Sequence, residues 1–204
     1  MNSNIKKRIL VGIDYSKSSE NALNYALMLA KKTKASVTLL HIFEFPLIHT
    51  NSGLYIVDYK VVKDNDLHRL EHIKEKALTK FPKVSIECVN TTDTLKSFVK
   101  DLVKKKKIDY VILGLQTKNK ISKFIYSTTG VNLSAKIECP IIIVPEIYSK
   151  HHLSHVALAV DNKKTIKKKI IETAFDFTYA CKCAHELIHI KTEDEILIDV
   201  DKIK

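Results

Sequence analysis

Glycine is scarce in this chain of 204 residues, which has only Gly12, Gly53, Gly114 and Gly130. Phosphate-binding loops use glycine for positive φ angles and for close approach of the backbone to the ligand. The sequence has no Walker A pattern, and it lacks the Gly-x-Ser-x-Gly and His-Glu-x-x-His motifs of hydrolases and metalloproteases. The missing motifs favour a binding protein over an enzyme.

Long apolar runs and disulfide spacing are also missing. No segment approaches the roughly 18 apolar residues of a membrane-spanning helix, and the basic start MNSNIKKR is not followed by an apolar signal region. Cys88, Cys139, Cys181 and Cys183 show no disulfide framework and are expected to be reduced. Cys181-x-Cys183 lies near His185, but without a second ligand pair a helix terminus is favoured over a metal site. We expect a cytoplasmic protein without metal or membrane contact.

Basic residues are abundant but dispersed. The net charge is +11, which is compatible with nucleic acid or anionic lipid as a partner. The one lysine run, Lys104–Lys107, falls at the end of a predicted helix, where positive charge is favoured. Because no arginine cluster and no basic stripe with interleaved aromatic residues occurs, we expect no nucleic-acid partner.

Apolar runs alternate with amphipathic segments through residues 1–146. The predicted strands are Ile9–Asp14, Ala35–Phe43, Val84–Val89, Tyr110–Leu113 and Ile141–Val144. The predicted helices begin at Ser16/Ser18, span roughly 61–80, begin at Thr92/Asp93, and begin at Ser127-Thr128-Thr129. Glu44–Tyr59 is expected to be irregular. This alternation predicts an α/β fold with a parallel sheet and helices on both faces.

Ligands of such sheets bind beyond the carboxyl ends of the strands, where the strand order switches. Those ends carry Asp14, His41/Ile42 and Gly114, which share one site if strands one and four are neighbours. Helix N-termini such as the one predicted at Ser127–Thr129 attract phosphate. Each feature also has a structural explanation: Asp14 and the hydroxyl cluster can cap helices, Gly114 can mark a turn, and His41 can be packed and hydrogen-bonded.

A partial repeat follows the first domain. Val156–Asp161 resembles Ile9–Asp14 in sequence, and Leu187–Ile190 resembles Leu39–Ile42, with an amphipathic helix pattern between them. This predicts a second, incomplete β-α-β unit in residues 151–204. Because one such unit buries little surface alone, we expect it to dock on the first domain or on a partner.

The chain resembles the universal stress protein family. The residues that carry the resemblance are ILVGIDYSKSSENAL, TLLHIFE and VILGLQTK followed by YSTTGVNLSAKIECPIIIVPE. It implies a Rossmann-like, doubly wound five-stranded sheet of order 3-2-1-4-5 in residues 1–146, and a truncated second repeat of a tandem member in residues 151–204. It also implies a homodimer formed through the fifth strand, Ile141–Val144.

Some members of that family bind ATP through the motif Gly-x2-Gly-x9-Gly-Ser/Thr. On this sequence the first glycine is Gly114, whereas the second and third fall on Thr117 and Ser127 and the final hydroxyl on Thr128. A side chain at such positions strains the backbone and occupies space beside the phosphates, which predicts a degenerate, weakened ATP site. Asp14 matches the family acid near the adenosine, and Ile42 matches an apolar residue of the adenine pocket. The residues assigned to the candidate nucleotide site are Asp14, Ile42, Gly114, Gln116, Thr117, Ser127, Thr128 and Thr129.

Three functions follow from these features. The leading hypothesis is a stress-response regulatory module that acts through dimerisation or partner binding, and its variant is an ATP-binding switch. The second is a nucleotide-hydrolysing enzyme of the adenine-nucleotide alpha-hydrolase-like group, in which Lys118, Lys120 and Lys123 would supply charge. The third is an interaction protein whose partial repeat recruits an unidentified protein partner.

Overall fold

A computed structural model describes most of the chain, which divides into two compact units, residues 1–151 and 152–204. The described residues are 7–43, 47–50, 53–56, 58–105, 107–116, 133–134, 136–148, 153–160 and 168–189. The strands of the first unit are β1 (Arg8–Gly12), β2 (Ser36–Ile42), β3 (Leu47–Thr50), β4 (Gly53–Ile56), β5 (Ser85–Thr91), β6 (Tyr110–Leu115) and β7 (Ile141–Pro145). Its helices are α1 (Lys17–Thr33), α2 (Tyr59–Lys80) and α3 (Leu95–Lys104). The second unit contains β8 (His155–Val160), α4 (Lys168–Cys181) and β9 (Ala184–His189).

Five parallel strands form the central sheet in the order β5-β2-β1-β6-β7. Counted along the chain without the β3-β4 pair, this is the order 3-2-1-4-5, so the predicted doubly wound sheet is confirmed. Strand β1 lies at the centre, where Val11 pairs with Leu39 of β2 and Ile112 of β6. Its middle residues are almost completely inaccessible to solvent, as expected of a parallel strand covered on both faces.

Helix α1 begins where the sequence predicts it. The Ser16 hydroxyl accepts a hydrogen bond from the Ser19 amide at 3.2 Å and caps the helix. The helix ends at Lys34, which has a left-handed backbone with φ 56°. Its inner face consists of small and branched apolar residues, all buried: Ala22, Leu23, Ala26, Leu27, Leu29 and Ala30.

The prediction of irregular structure over Glu44–Tyr59 is wrong. Strands β3 and β4 form an antiparallel pair there, with Leu47 opposite Ile56, and α2 begins at Tyr59 with Asp58 as its cap. Each strand has only four residues, LIHT and GLYI, which is too short for a clear alternation of apolar and polar positions. Pairing nevertheless gives hydrogen-bond partners to the backbone groups of β3 and β4 that face one another.

The predicted cap of α3 at Thr92/Asp93 is also wrong. The Thr94 hydroxyl accepts from the Ser97 amide at 3.2 Å, so Thr94 is the cap. The Asp93 amide instead donates to the Thr91 hydroxyl at 3.1 Å. Thr92, Asp93 and Thr94 are all residue types that cap helices, so the sequence alone does not single out one of them. In the structure the helix begins at Leu95, which packs against the core.

The second unit is the predicted β-α-β arrangement, with β8 parallel to β9 and α4 between them in sequence. Helix α4 ends at Cys181, and Lys182 follows with φ 47°, so Cys181 and Cys183 lie at a helix terminus, as favoured from the sequence. Five of the six residues of β9 are exposed. Asp161 lies outside the described residues, and the origin of this unit as a second repeat stays a prediction.

Candidate functional site

A cleft of about 260 Å³ lies at the carboxyl ends of β1, β2 and β6. Here β1 has β2 on one side and β6 on the other, which is the point where the strand order reverses. We call it the switch-point cleft. Strands one and four of the prediction are therefore neighbours, and the structure brings Asp14, Ile42 and Gly114 together in the lining of one cleft.

Asp14 lies between the end of β1 and the cap of α1. Its Oδ1 accepts hydrogen bonds from the Ser16 amide at 3.0 Å and from the Ser16 hydroxyl. Burial acts to raise the pKa of Asp14, but hydrogen bonds from the Ser16 and Ser19 hydroxyls and from backbone amides outweigh burial and lower the pKa. Asp14 thus lines the cleft and accepts hydrogen bonds at the start of α1, but the cap of α1 is Ser16, so the interpretation of Asp14 as the helix cap is wrong. The role of Asp14 toward a ligand stays a prediction.

Gly114 does not mark a turn, which corrects that interpretation. It lies within β6, paired with Val144 of β7. A Cβ atom built on Gly114 would overlap the backbone carbonyl of Ser18 in the first turn of α1. The glycine is therefore required by the close approach of the helix to the strand, whether or not a ligand is bound.

The apolar wall of the cleft comes from β2, β6 and the start of α3. Ile42 is half-buried and packs against a buried cluster that includes Leu40, Val99 and Leu113. Leu95 of α3 faces the same cleft. An apolar wall opposite a carboxylate suits a ligand with a flat apolar part and hydroxyl groups.

The remaining candidate residues are not brought together by the described structure. Gln116 is exposed just after the end of β6 and is not among the residues that line the cleft. Thr117, Ser127, Thr128 and Thr129 lie outside the described residues, as do Lys118, Lys120 and Lys123. The structure therefore describes the part of the candidate site that contains Asp14, Ile42 and Gly114, whereas the hydroxyl cluster of the family motif lies outside the described residues.

Sequence reasoning missed a polar cluster beside Asp14. Tyr15 has a left-handed backbone with φ 61°, and its hydroxyl donates to Oδ1 of Asp66 on α2 at 2.7 Å. The centroids of the His41 and Tyr15 rings are 4.5 Å apart. The guanidinium carbon of Arg69 lies 3.7 Å from the centroid of the Tyr15 ring. Burial, together with the hydrogen bond and charge of Asp66, raises the pKa of Tyr15, so the phenol stays a donor.

One contact in this cluster is incomplete. Nδ1 of His41 lies 2.7 Å from Oδ1 of Asp66, within ion-pair distance. Nδ1 of His41 nevertheless makes no hydrogen bond in the described part of the chain, although it is buried. The other carboxylate oxygen, Oδ2 of Asp66, is also buried there without a hydrogen-bond partner. His41 is therefore packed, as favoured from the sequence, but it is not hydrogen-bonded through Nδ1. No sequence signal predicts the left-handed Tyr15 or its pairing with a helix about 50 residues away.

No group of three or more His, Cys, Asp or Glu side chains in the described ranges could hold a metal ion. No helix among the described elements is long and apolar enough to cross a membrane.

The sheet order and the switch-point cleft define a Rossmann-like α/β protein. The model of the universal stress protein family matches residues 6–145, and the chain belongs to that family. It is 27% identical over 146 residues to universal stress protein YxiE of Bacillus subtilis (strain 168), a match that covers 67% of this chain and 97% of that protein.

Solved structures of the family share the fold. A universal stress protein family member from Burkholderia pseudomallei superposes with a TM-score of 0.50 at 16% identity, over 71% of this chain and 99% of its own. The universal stress protein UspA from Lactobacillus plantarum superposes with a TM-score of 0.50 at 19% identity, over 69% of this chain and 99% of its own. At such identities the likeness shows the fold alone.

Proposed function

We propose that this chain is a regulatory module of the stress response whose switch-point cleft binds an adenine nucleotide weakly, without turning it over. The observation that carries the proposal is that Asp14 and the apolar wall that includes Ile42 line one cleft. A carboxylate can accept hydrogen bonds from ribose hydroxyls, and the apolar wall can cover the base. The second and third glycine positions of the motif are Thr117 and Ser127 in this chain, which predicts weaker contacts with phosphates.

This division of the site predicts a ligand preference. If the adenosine side contributes most of the affinity, then adenosine, AMP and ATP bind with dissociation constants within about tenfold of one another. A complete phosphate loop would instead favour ATP strongly. Calorimetric titration of the purified protein with the three ligands measures the ratio, after mass spectrometry of the denatured protein has tested for nucleotide that co-purifies.

The variant Asp14→Asn tests the adenosine side directly. Loss of the charged acceptor is expected to weaken AMP binding by about tenfold, the difference between a charge-assisted and a neutral hydrogen bond. Asp101→Asn is the matched control, because Asp101 is exposed on α3 and pairs only with Lys105 at 2.7 Å. Equal AMP affinity in both variants, or no binding by the wild type at millimolar AMP, would contradict the proposal.

Binding without catalysis is tested by turnover of radiolabelled ATP. We expect the rate of the wild type to match that of Thr128→Ala, since the hydroxyl at this position is the last part of the family motif that the chain keeps. A wild-type rate well above the variant would favour the hydrolase alternative.

We also propose that the chain forms a homodimer through β7, as the family resemblance implies. β7 is the last strand of the sheet, so its outer backbone groups have no partner strand among the described elements. Ile143 in the middle of β7 is 37% exposed, although its neighbour Val144 is buried. Asn21 of α1 donates to the carbonyl oxygens of Pro145 and Tyr148 at 2.8 Å each and fixes the end of this edge.

The dimer is tested with two isoleucines that differ in position. Ile143→Glu places a charge on the proposed interface and is expected to give a monomer in light scattering after size exclusion. Ile147→Glu is the control, since Ile147 is 79% exposed and lies beyond the strand. A dimer that persists in Ile143→Glu, or a monomeric wild type, would exclude this interface.

A further inference from the structure

A second cleft, of about 310 Å³, lies between α1 and α2. We call it the interhelix groove. Helices α1 and α2 cover one face of the sheet, whereas α3 covers the other, because the connection from β5 to β6 runs back in the opposite direction. The lining of the interhelix groove does not include Leu40, Ile42 or Leu95, which form the apolar wall of the switch-point cleft.

The floor of the groove is apolar. Leu23 and Leu27 on α1 face Ile73 and Ala77 on α2, and Phe81 lies at the end of α2. Helix α2 buries only Leu70 and Ala77 of its 22 residues. The gap between the two helices therefore leaves apolar side chains of both helices lining an open cleft.

The α2 side of the groove is positively charged. Arg69, Lys76 and Lys80 line it at the spacing of one helix face. None of the three has a carboxylate within 4 Å among the described residues. Asp66, the acid one turn before Arg69, accepts from Tyr15 and lies against His41 instead.

The sequence of α2 offers Lys76 and Lys80 no acid on their own face. The residues three and four positions from Lys76 are His72, Ile73, Thr79 and Lys80. Lysines at i and i+4 repel one another, and an anion bound between them would relieve that repulsion. By contrast, Lys74 on another face pairs with Glu71 at 2.9 Å. Glu20 on α1 is the one carboxylate among the described lining residues, and it pairs with none of the cations.

We propose that the interhelix groove binds a small organic anion with an apolar body, of the class of medium-chain carboxylates. Its volume is at the lower end of the range of roughly 300–1,000 Å³ that is usual for small-molecule sites. The apolar body covers the floor, and the carboxylate lies between Lys76 and Lys80 or against Arg69, whose guanidinium is already fixed over the Tyr15 ring. The two clefts share Ile13 and Ser19 in their linings, but the three cations Arg69, Lys76 and Lys80 line the interhelix groove and not the switch-point cleft.

The probe is octanoate, titrated into the full chain at low salt and followed by calorimetry and by backbone amide shifts. Acetate supplies the anion without the apolar body, and 1-octanol supplies the body without the charge. Octanoate is expected to bind at least tenfold more tightly than either. Equal affinity for 1-octanol and octanoate would overturn the proposal, since the cations would then contribute nothing.

Variants locate the site. Lys76→Ala combined with Lys80→Ala is expected to weaken octanoate about tenfold, whereas Lys74→Ala leaves it unchanged. Asn24→Phe fills the groove from α1 and is expected to abolish binding while circular dichroism stays that of the wild type. Asp14→Asn retains octanoate binding, so failure of the nucleotide proposal and failure of this one are separable. No octanoate binding at millimolar concentration, or the same affinity in all variants, would exclude the groove as the site.

Discussion

Two β-α-β units of this chain have the same order of elements and opposite degrees of burial. In β1-α1-β2 the helix buries eight residues, and β1 is inaccessible along its middle. In β8-α4-β9 the helix buries only Thr178 and Cys181, and β9 is almost wholly exposed. Both pairs of strands are parallel and regularly paired over five or six residues.

The difference lies in the neighbours of each unit. Strand β1 has a partner on both sides, and α1 also contacts β6 through the backbone approach at Gly114. The sheet of β8 and β9 contains no third strand among the described residues. The comparison teaches that the β-α-β pattern specifies its hydrogen bonds locally, whereas the burial that stabilises it comes from strands and helices outside it.

The largest expected effect comes from comparing one leucine in the first strand of each unit. Leu10→Ala in β1 is expected to cost about 2–5 kcal/mol of unfolding free energy, because Leu10 is 1% exposed in a packed core. Leu158→Ala in β8 is expected to cost less than about 1 kcal/mol, because Leu158 is only half-buried. Urea unfolding followed by far-ultraviolet circular dichroism measures both. Equal costs would mean that the second unit has a core of its own.

Gly114→Ala tests the close contact between β6 and the Ser18 backbone of α1, for which the described part of the second unit has no counterpart. The added methyl meets the Ser18 backbone, which cannot move without displacing α1, so we expect a loss of about 1–3 kcal/mol. Gly12→Ala is the control. Its methyl meets the end of the Leu113 side chain at 2.8 Å, and a side chain can rotate away. Thermal unfolding of the two variants compares them, and a larger loss in Gly12→Ala would contradict the importance of the helix contact.

Two tyrosines separate a buried polar contact from an exposed ring. Tyr15→Phe removes the donor to Asp66, and leaving that carboxylate short of a partner is expected to cost about 1–3 kcal/mol. Tyr179→Phe on α4 should have no measurable effect, because Tyr179 is 87% exposed. Chemical denaturation of both proteins provides the measurement. A neutral Tyr15→Phe would show that the cluster contributes nothing to stability.

The smallest effect concerns pH. Hydrogen bonds hold the pKa of Asp14 in the folded protein below its value in the unfolded chain, which is about 3.9. The folded state therefore binds fewer protons, so the contribution of Asp14 is present above about pH 4 and is lost as the pH falls through the folded pKa. Ser16→Ala removes the hydroxyl donor and should raise the pKa of Asp14 in a carbon-13 carboxyl titration. An unchanged pKa would refute the role of Ser16.

The alternation of strands and helices and their order in the sheet could be predicted, because long apolar runs and capped amphipathic helices are local signals. The resemblance supplied the strand order, and the topology then placed Asp14 and Ile42 at one edge. The β3-β4 hairpin was missed because four-residue strands carry almost no periodicity. Thr92 and Thr94 are equally good caps in sequence, and tertiary packing chose between them.

The polar cluster around Tyr15 and the packing role of Gly114 could not be predicted from the sequence, for a different reason. The contacts of Tyr15 with Asp66, His41 and Arg69 join residues from three separate parts of the chain, and no local sequence pattern predicts them. Gly114 was interpreted through turns and ligands because those are the usual uses of glycine. Its actual neighbour, Ser18, is almost 100 residues earlier in the chain.

The packing of Gly114 against α1 limits what this glycine indicates about a sequence. A Cβ atom at this position would overlap the backbone of Ser18, so a chain that keeps this helix contact needs a glycine here whether or not it binds a nucleotide. The first glycine of the motif is therefore evidence for the packing of the sheet and not for a ligand. The two later motif positions, here Thr117 and Ser127, are the ones that can report on phosphate contacts.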